Sequence, residues 1–149
     1  MLIPLLLGSI TVFISMAIQV VVVVLMIRYL MRILNNKDHT SSFSFDAYVI
    51  CVVLLMLFTG HLVQIGIWAQ LFMYLGEFND FETAYYHSTV NFASLGYGDI
   101  VMSEKWRLLG ALEASNGVLM FGLSAGTMMP VMTNLYRRHR VTGNHEQTD

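Results

Sequence analysis

Charge is scarce in this chain. Asp, Glu, Lys and Arg make up 12% of its 149 residues while 56% are hydrophobic; a soluble domain carries about 25% charged residues. So few charges cannot coat a water-facing surface, which excludes a soluble enzyme. Positive charge is in no excess either. Eight Lys and Arg against ten Asp and Glu give a net charge of −2, which offers phosphates no attractive field and excludes nucleic acid as a partner. The single cysteine, Cys51, cannot form an intrachain disulfide, and with no CxxC or Cys/His cluster there is no zinc signature. Cys51 reads as inert packing in an apolar helix. The sequence also lacks a nucleophile–base pair, a phosphate loop and a metal-ligand cluster, so no catalysis is expected. What remains is a membrane protein with no cofactor.

Three long apolar runs carry that reading. Met1 to Ile27 holds no charged residue, and as helix it spans about 40 Å against a hydrocarbon core of about 30 Å. The β-branched run Val20 to Val24 would weaken a helix in water, but in lipid the backbone must satisfy its own hydrogen bonds. No basic region precedes the run, so it is expected to be an uncleaved first span rather than a signal peptide. A second run, Ala47 to Gly76, has no Asp, Glu, Lys or Arg, although it holds His61, Gln64 and Gln70, with Trp68 and Tyr74 near its far end. The third, Leu108 to Tyr136, is interrupted only by Glu113. Ser44 is a candidate cap for the second helix, after a linker that ends in Thr40-Ser41-Ser42. The tail beyond Arg140 is short and polar and is expected to be irregular. No internal repeat is visible.

Basic residues set the orientation. Arg28, Arg32 and Lys37 lie in the first connection and Arg137, Arg138 and Arg140 in the tail, six of eight on one side. The positive-inside rule makes that side cytoplasmic. The N-terminus then lies outside, as does the loop from Glu77 to Arg107, whose net charge is −3. The expected location is a multi-pass protein of the plasma membrane, or of the inner membrane in a bacterial cell. Arg28 and Arg32 sit at one end of the first span rather than at every third position through it, so that helix is no voltage sensor.

The chemistry lies in the loop between the second and third spans. Phe81 to Ala93 is moderately apolar, too short to cross a bilayer, and breaks into Ser94-Leu95-Gly96-Tyr97-Gly98-Asp99. A half-length helix followed by a glycine-bearing strand reads as a re-entrant loop. A cation crossing lipid needs its hydration shell replaced by oxygens. Successive backbone carbonyls can supply them only with unusual backbone angles, which glycine adopts at low cost. Irregular backbone is tolerated at membrane depth where it is buried in protein or lines water.

Ser94-Leu95-Gly96-Tyr97-Gly98-Asp99 resembles the Thr-Val-Gly-Tyr-Gly-Asp signature of potassium channel selectivity filters. Gly117 and the triplet Phe121-Gly122-Leu123 are similar to the hinge glycine and Phe-Gly-Leu of simple bacterial potassium channels. The resemblance runs from about Phe43 to Tyr136. It implies an all-α membrane fold: an N-terminal helix and linker over 1–42, a pore module over 43–136 with outer helix, pore helix, filter and inner helix, and a tail over 137–149. It also implies a homotetramer in the lipid bilayer, passing monovalent cations passively. The carbonyls of Ser94, Leu95, Gly96, Tyr97 and Gly98, with the Ser94 hydroxyl, would hold potassium, and Asp99 would anchor the outer mouth. Val118, Phe121 and Ala125 would line the cavity, and Gly117 or Gly122 would let the inner helix bend.

This chain departs from the family pattern in places. Ser94 stands for the usual threonine, Leu95 for valine, Ala93 where a second threonine is common, and His87 where many relatives have tryptophan. Potassium selectivity is the leading reading. A weakly selective cation channel on the same fold, or a non-conducting regulatory membrane subunit, are the alternatives.

Other residues keep two readings each. Glu113 is either a hydrogen-bonded carboxyl behind the pore helix or a pore-adjacent carboxylate that tunes conduction or senses protons. It shares a helix face with Asn116 and Gly117. His61 and His87 are packing partners or proton switches. Gly117, Gly122 and Gly126 are hinges or packing notches. The glycines Gly96 and Gly98 read alternatively as simple turn residues, and the methionines as lipid-facing or core filler.

Overall fold

A computed structural model describes residues 2–34 and 43–145, with side chains through Arg137. Lys37 and the Thr40-Ser41-Ser42 stretch lie outside the described residues, as do residues 146–149. The described chain is helical, without strands: α1 (Leu2–Leu34), α2 (Phe43–Tyr74), α3 (Phe81–Phe92) and α4 (Arg107–His145). Three of these, α1, α2 and α4, are long and apolar enough to cross a membrane. α3, at 12 residues, reaches only about 18 Å.

The helices run longer than the apolar runs alone require. α1 continues past Ile27 to Leu34, and α4 continues to His145, so residues 141–145 extend the helix rather than form an irregular tail. α2 begins at Phe43, which puts Ser44 inside its first turn rather than at its cap. Backbone hydrogen bonding that is already propagating adds residues at little cost, so polar flanks join the helix.

α1 packs against both α4, to which it runs parallel, and α2, to which it runs antiparallel: Leu2 to Pro4 lie beside Glu104 to Ala111 at one end, and Met26 and Leu30 meet Val49, Val53, Val131 and Leu135 at the other. α3 packs against α2 and α4. From Gly8 to Gln19 the face that α1 buries is small and polar: Gly8, Thr11, Ser15 and Gln19 point inward while Ile10, Phe13 and Ile14 are exposed, and only farther along do the apolar Met26 and Leu30 turn inward. This inversion fits a bilayer, where lipid solvates the apolar face and small residues let helices approach closely. Gly8 abuts Leu109 and Leu112 of α4, and a Cβ on Gly60 would sit 3.0 Å from Val22.

Midway along the bundle a polar node joins the three long helices. Gln64 Nε2 donates to Gln19 Oε1 at 2.8 Å, Gln19 Nε2 donates to Ser124 Oγ at 3.0 Å, and His61 Nε2 lies 3.0 Å from the same hydroxyl. Apolar clusters lie on either side. One gathers Ile65, Trp68, Phe72, Phe92, Leu109 and Met120; the other gathers Met26, Leu30, Val53, Leu57 and Val131. Large apolar side chains remain exposed along all three long helices, among them Phe13, Leu55, Val118 and Met129. That much exposed apolar surface belongs against lipid or other protein. Cys51 also lies exposed, on α2.

Candidate functional site

The site is built around α3 and the six residues that follow it. Asp80 caps the helix: its side chain accepts from the Thr83 N–H at 2.8 Å, and that bond holds its carboxyl below the usual aspartate range. At the other end Ala93 is the last residue in the right-handed region. Ser94 then turns left-handed, with φ 57°. Its N–H donates to the Asn91 carbonyl at 2.8 Å, and the Leu95 N–H donates to the Val90 carbonyl at 2.9 Å. This paired closure of a helix end usually has glycine at the left-handed position. Serine there costs about 1–2 kcal/mol in backbone strain.

Left-handed residues then recur at every second position: Ser94 at φ 57°, Gly96 at 63° and Gly98 at 71°, with Leu95, Tyr97 and Asp99 at negative φ. In an ordinary strand successive carbonyls point to opposite sides. Alternation of hand gathers the N–H groups on one side and leaves the carbonyls to the other. Glycine at 96 and 98 is demanded by backbone angle and not by space, because a Cβ there meets nothing within 4 Å. Residues 93–99 are all exposed on the single chain, Tyr97 to 65%.

Two side chains of α3 hold the end of this segment. Tyr86 donates its hydroxyl to Asp99 Oδ2 at 2.7 Å, while Asp99 Oδ1 accepts from the Ile100 N–H at 3.0 Å. The Tyr86 bond comes first in holding the Asp99 carboxyl below its usual range, and in raising the Tyr86 phenol above its own. His87 Nδ1 lies 3.1 Å from the Ile100 carbonyl. A carbonyl only accepts, so Nδ1 carries the hydrogen, and Nε2 accepts from the Asn91 amide at 2.9 Å. Farther out, Glu77 takes both the N–H and the hydroxyl of Ser103, each at 2.7 Å, which ties the loop before α3 to the loop before α4.

α4 supports α3 from behind. Glu113 is fully buried and pairs with the Ser88 hydroxyl, which also lies 2.9 Å from the Ile65 carbonyl of α2. Asn116 is buried on the same face, its amide atoms unpaired among the described residues. Gly117 packs directly on the Phe92 backbone: an added Cβ would overlap the Phe92 carbonyl oxygen and lie 2.8 Å from its carbon. Gly117 is thus a close-approach glycine, whereas Gly122 and Gly126 face open space on the single chain. Val118, Phe121 and Ala125 are exposed on α4, Val118 to 60%, although Phe121 also meets the rings of Phe92 at 5.6 Å and His61 at 4.9 Å.

The six residues from Ser94 to Asp99 thus form one segment. His87 lies directly behind it, Glu113 lies one helix farther back, and Val118, Phe121, Gly122 and Ala125 lie along α4. The sequence marks these residues but not their supports. Tyr86, Ser88 and Asn91 carried no motif, and their only signal was polarity recurring along a short, otherwise apolar helix. The Gln19–Gln64–Ser124 node was equally silent, except that glutamine is unusual within a long apolar run.

A family model described as ion channel matches residues 49–134. No curated protein and no solved structure matches the chain.

Proposed function

We propose, from the premise that this chain belongs to the ion channel family, that four copies assemble around a fourfold axis and conduct potassium passively. In this reading α2 is the outer helix, α3 a re-entrant pore helix, residues 94–99 the filter and α4 the inner helix. The observation that carries it is the alternating hand of Ser94, Gly96 and Gly98 on an exposed segment. A row of carbonyls lacking partners on one chain is an incomplete coordination shell, and three more copies complete it. The carbonyls of Ser94, Leu95, Gly96, Tyr97 and Gly98, with the Ser94 hydroxyl, then take the place of water around the ion.

The rest of the chain supports that arrangement. The carbonyl end of α3 directs partial negative charge toward the ion path. Val118, Phe121 and Ala125 line the cavity below, and Gly122, free of packing on the single chain, is where the inner helix bends. The acidic outer loop gathers cations at the mouth. The Arg-bearing ends of α1 and α4 face the cytoplasm, with the N-terminus outside, in the plasma membrane.

The test is occupancy. Purified protein should run as a tetramer, and potassium should raise its thermal stability above that in equal sodium, because an ion bound only by the assembled filter stabilises the state that holds it. A monomer, or equal stability in the two salts, would refute the reading. Stabilisation by both ions alike in a tetramer that conducts would instead identify a weakly selective cation pore, with Ser94 the first residue to suspect.

A further inference from the structure

Glu113 is the only acidic side chain fully buried among the described residues. A carboxyl at that depth is costly and is found where it has a task. Its carboxyl pairs with the Ser88 hydroxyl and has the Asn91 side chain beside it. Ser88 also faces the Ile65 carbonyl at 2.9 Å, so a single hydroxyl joins α3 to both α2 and α4. Next along α3 is His87, which holds the Ile100 carbonyl at 3.1 Å and is held in turn by Asn91 at 2.9 Å. Asn91 rests on α4 as well, since a Cβ on Gly110 would lie 3.1 Å from its amide nitrogen.

Through Glu113 and Gly110, α4 therefore meets α3 beside His87, the residue that holds the end of the filter. Rotation of α3 about its own axis would carry Ser88 away from Glu113 and His87 away from Ile100 together, because the two are adjacent on one rigid helix. A buried hydrogen bond resists such a rotation, because breaking the bond strands polar groups away from water.

We propose that Glu113 is a positioning residue for the filter: by fixing Ser88 between α2 and α4 it sets the rotation of α3 at which His87 holds the Ile100 carbonyl, and it passes movement of the inner helix to the filter's outer end. This rests on the channel reading above. The role is hydrogen bonding and not charge. Glu113→Gln keeps a hydrogen-bonding group opposite the Ser88 hydroxyl, and Glu113→Ala removes it.

The test uses full-length protein in planar bilayers with potassium on both sides. Glu113→Ala and Ser88→Ala shorten the mean open time about tenfold, the size expected for stranding one buried polar group, while Glu113→Gln stays within about twofold of the parent. In a His87→Ala background, Glu113→Ala has no further effect, because its route to the filter is already cut. A merely structural carboxyl would give additive losses. Should Glu113→Ala fail to assemble, Ser88→Ala, which removes only a hydroxyl, makes the same comparison. Parent-like openings in Glu113→Ala, a Glu113→Gln as impaired as the alanine variant, or additivity with His87→Ala would each overturn the proposal. Parent protein that passes no current would overturn the channel reading itself, before any variant is compared.

Discussion

Gly117 separates a packing role from a hinge role more sharply than any other position. The substitution is Gly117→Ala, read against Gly122→Ala on the same helix. Alanine favours a helix over glycine by up to about 1 kcal/mol, so both variants gain that much where space is free. At Gly122 nothing lies within 4 Å on the single chain, and the gain stands. At Gly117 the new methyl overlaps the Phe92 carbonyl, with Phe92 C at 2.8 Å and Cα at 3.1 Å. These are backbone atoms at the end of α3, unable to swing aside as a side chain would. Overpacking of this kind typically costs about 1–3 kcal/mol. Gly117→Ala should therefore lose up to about 2 kcal/mol net, and the two variants should differ by about 1–3 kcal/mol. The assay is thermal dissociation of the detergent-solubilised assembly in potassium. Because the collision is with α3 two residues before Ser94, the loss should be accompanied by weaker stabilisation by potassium. A Gly117→Ala protein as stable as Gly122→Ala, with potassium stabilisation intact, would refute the packing argument and restore Gly117 as a hinge.

Other predictions follow from single contacts. Asp99 is held below its ordinary range chiefly by the Tyr86 hydroxyl, and a depressed carboxyl stabilises above its unfolded value and loses that contribution as pH falls through its folded value. Potassium stabilisation should hold steady from neutral pH down past about 3.9, the ordinary aspartate value, and fail only below it; Tyr86→Phe should bring the failure to higher pH, and a pH titration of the melting temperature reads both. Gln19→Leu strands the Gln64 amide and removes the donor to Ser124, which should cost about 1–2 kcal/mol. The double variant with Gln64→Leu should recover part of the loss in the same melting assay, because both partners are then apolar. Ser94→Gly releases the left-handed strain at φ 57°, worth about 1–2 kcal/mol, but deletes the hydroxyl. It should melt higher in the absence of potassium and gain less when potassium is added, as measured by a potassium titration of the melting temperature.

Much of this architecture could be read from the sequence, for physical reasons. The three long helices follow from apolar runs longer than a bilayer, and α3 is marked by a short apolar stretch between Asp80 and the glycines. Gly96 and Gly98 announce their left-handed backbone because no other residue adopts it so cheaply. Ser94 does not, since nothing in a serine signals positive φ; closure of the α3 end imposes it. The supports behind the segment depend on which side chains three separate helices bring together. Tyr86 and Asp99 are 13 residues apart and Ser88 and Glu113 are 25 apart, and neither pair follows a local periodicity. Gly117 likewise reads as either hinge or notch until Phe92 is seen against it. The buried stripe of Gly8, Thr11, Ser15 and Gln19 was present in the sequence at three- and four-residue spacing, but a search for apolar periodicity passes over a face that is polar and small.

The most direct measurement is the reversal potential of the purified protein in a planar bilayer with potassium on one side and sodium on the other. A tetramer whose filter is lined by the carbonyls of residues 94–98 should reverse close to the potassium equilibrium potential. Current that reverses near zero would contradict potassium selectivity, and absence of current would contradict conduction altogether.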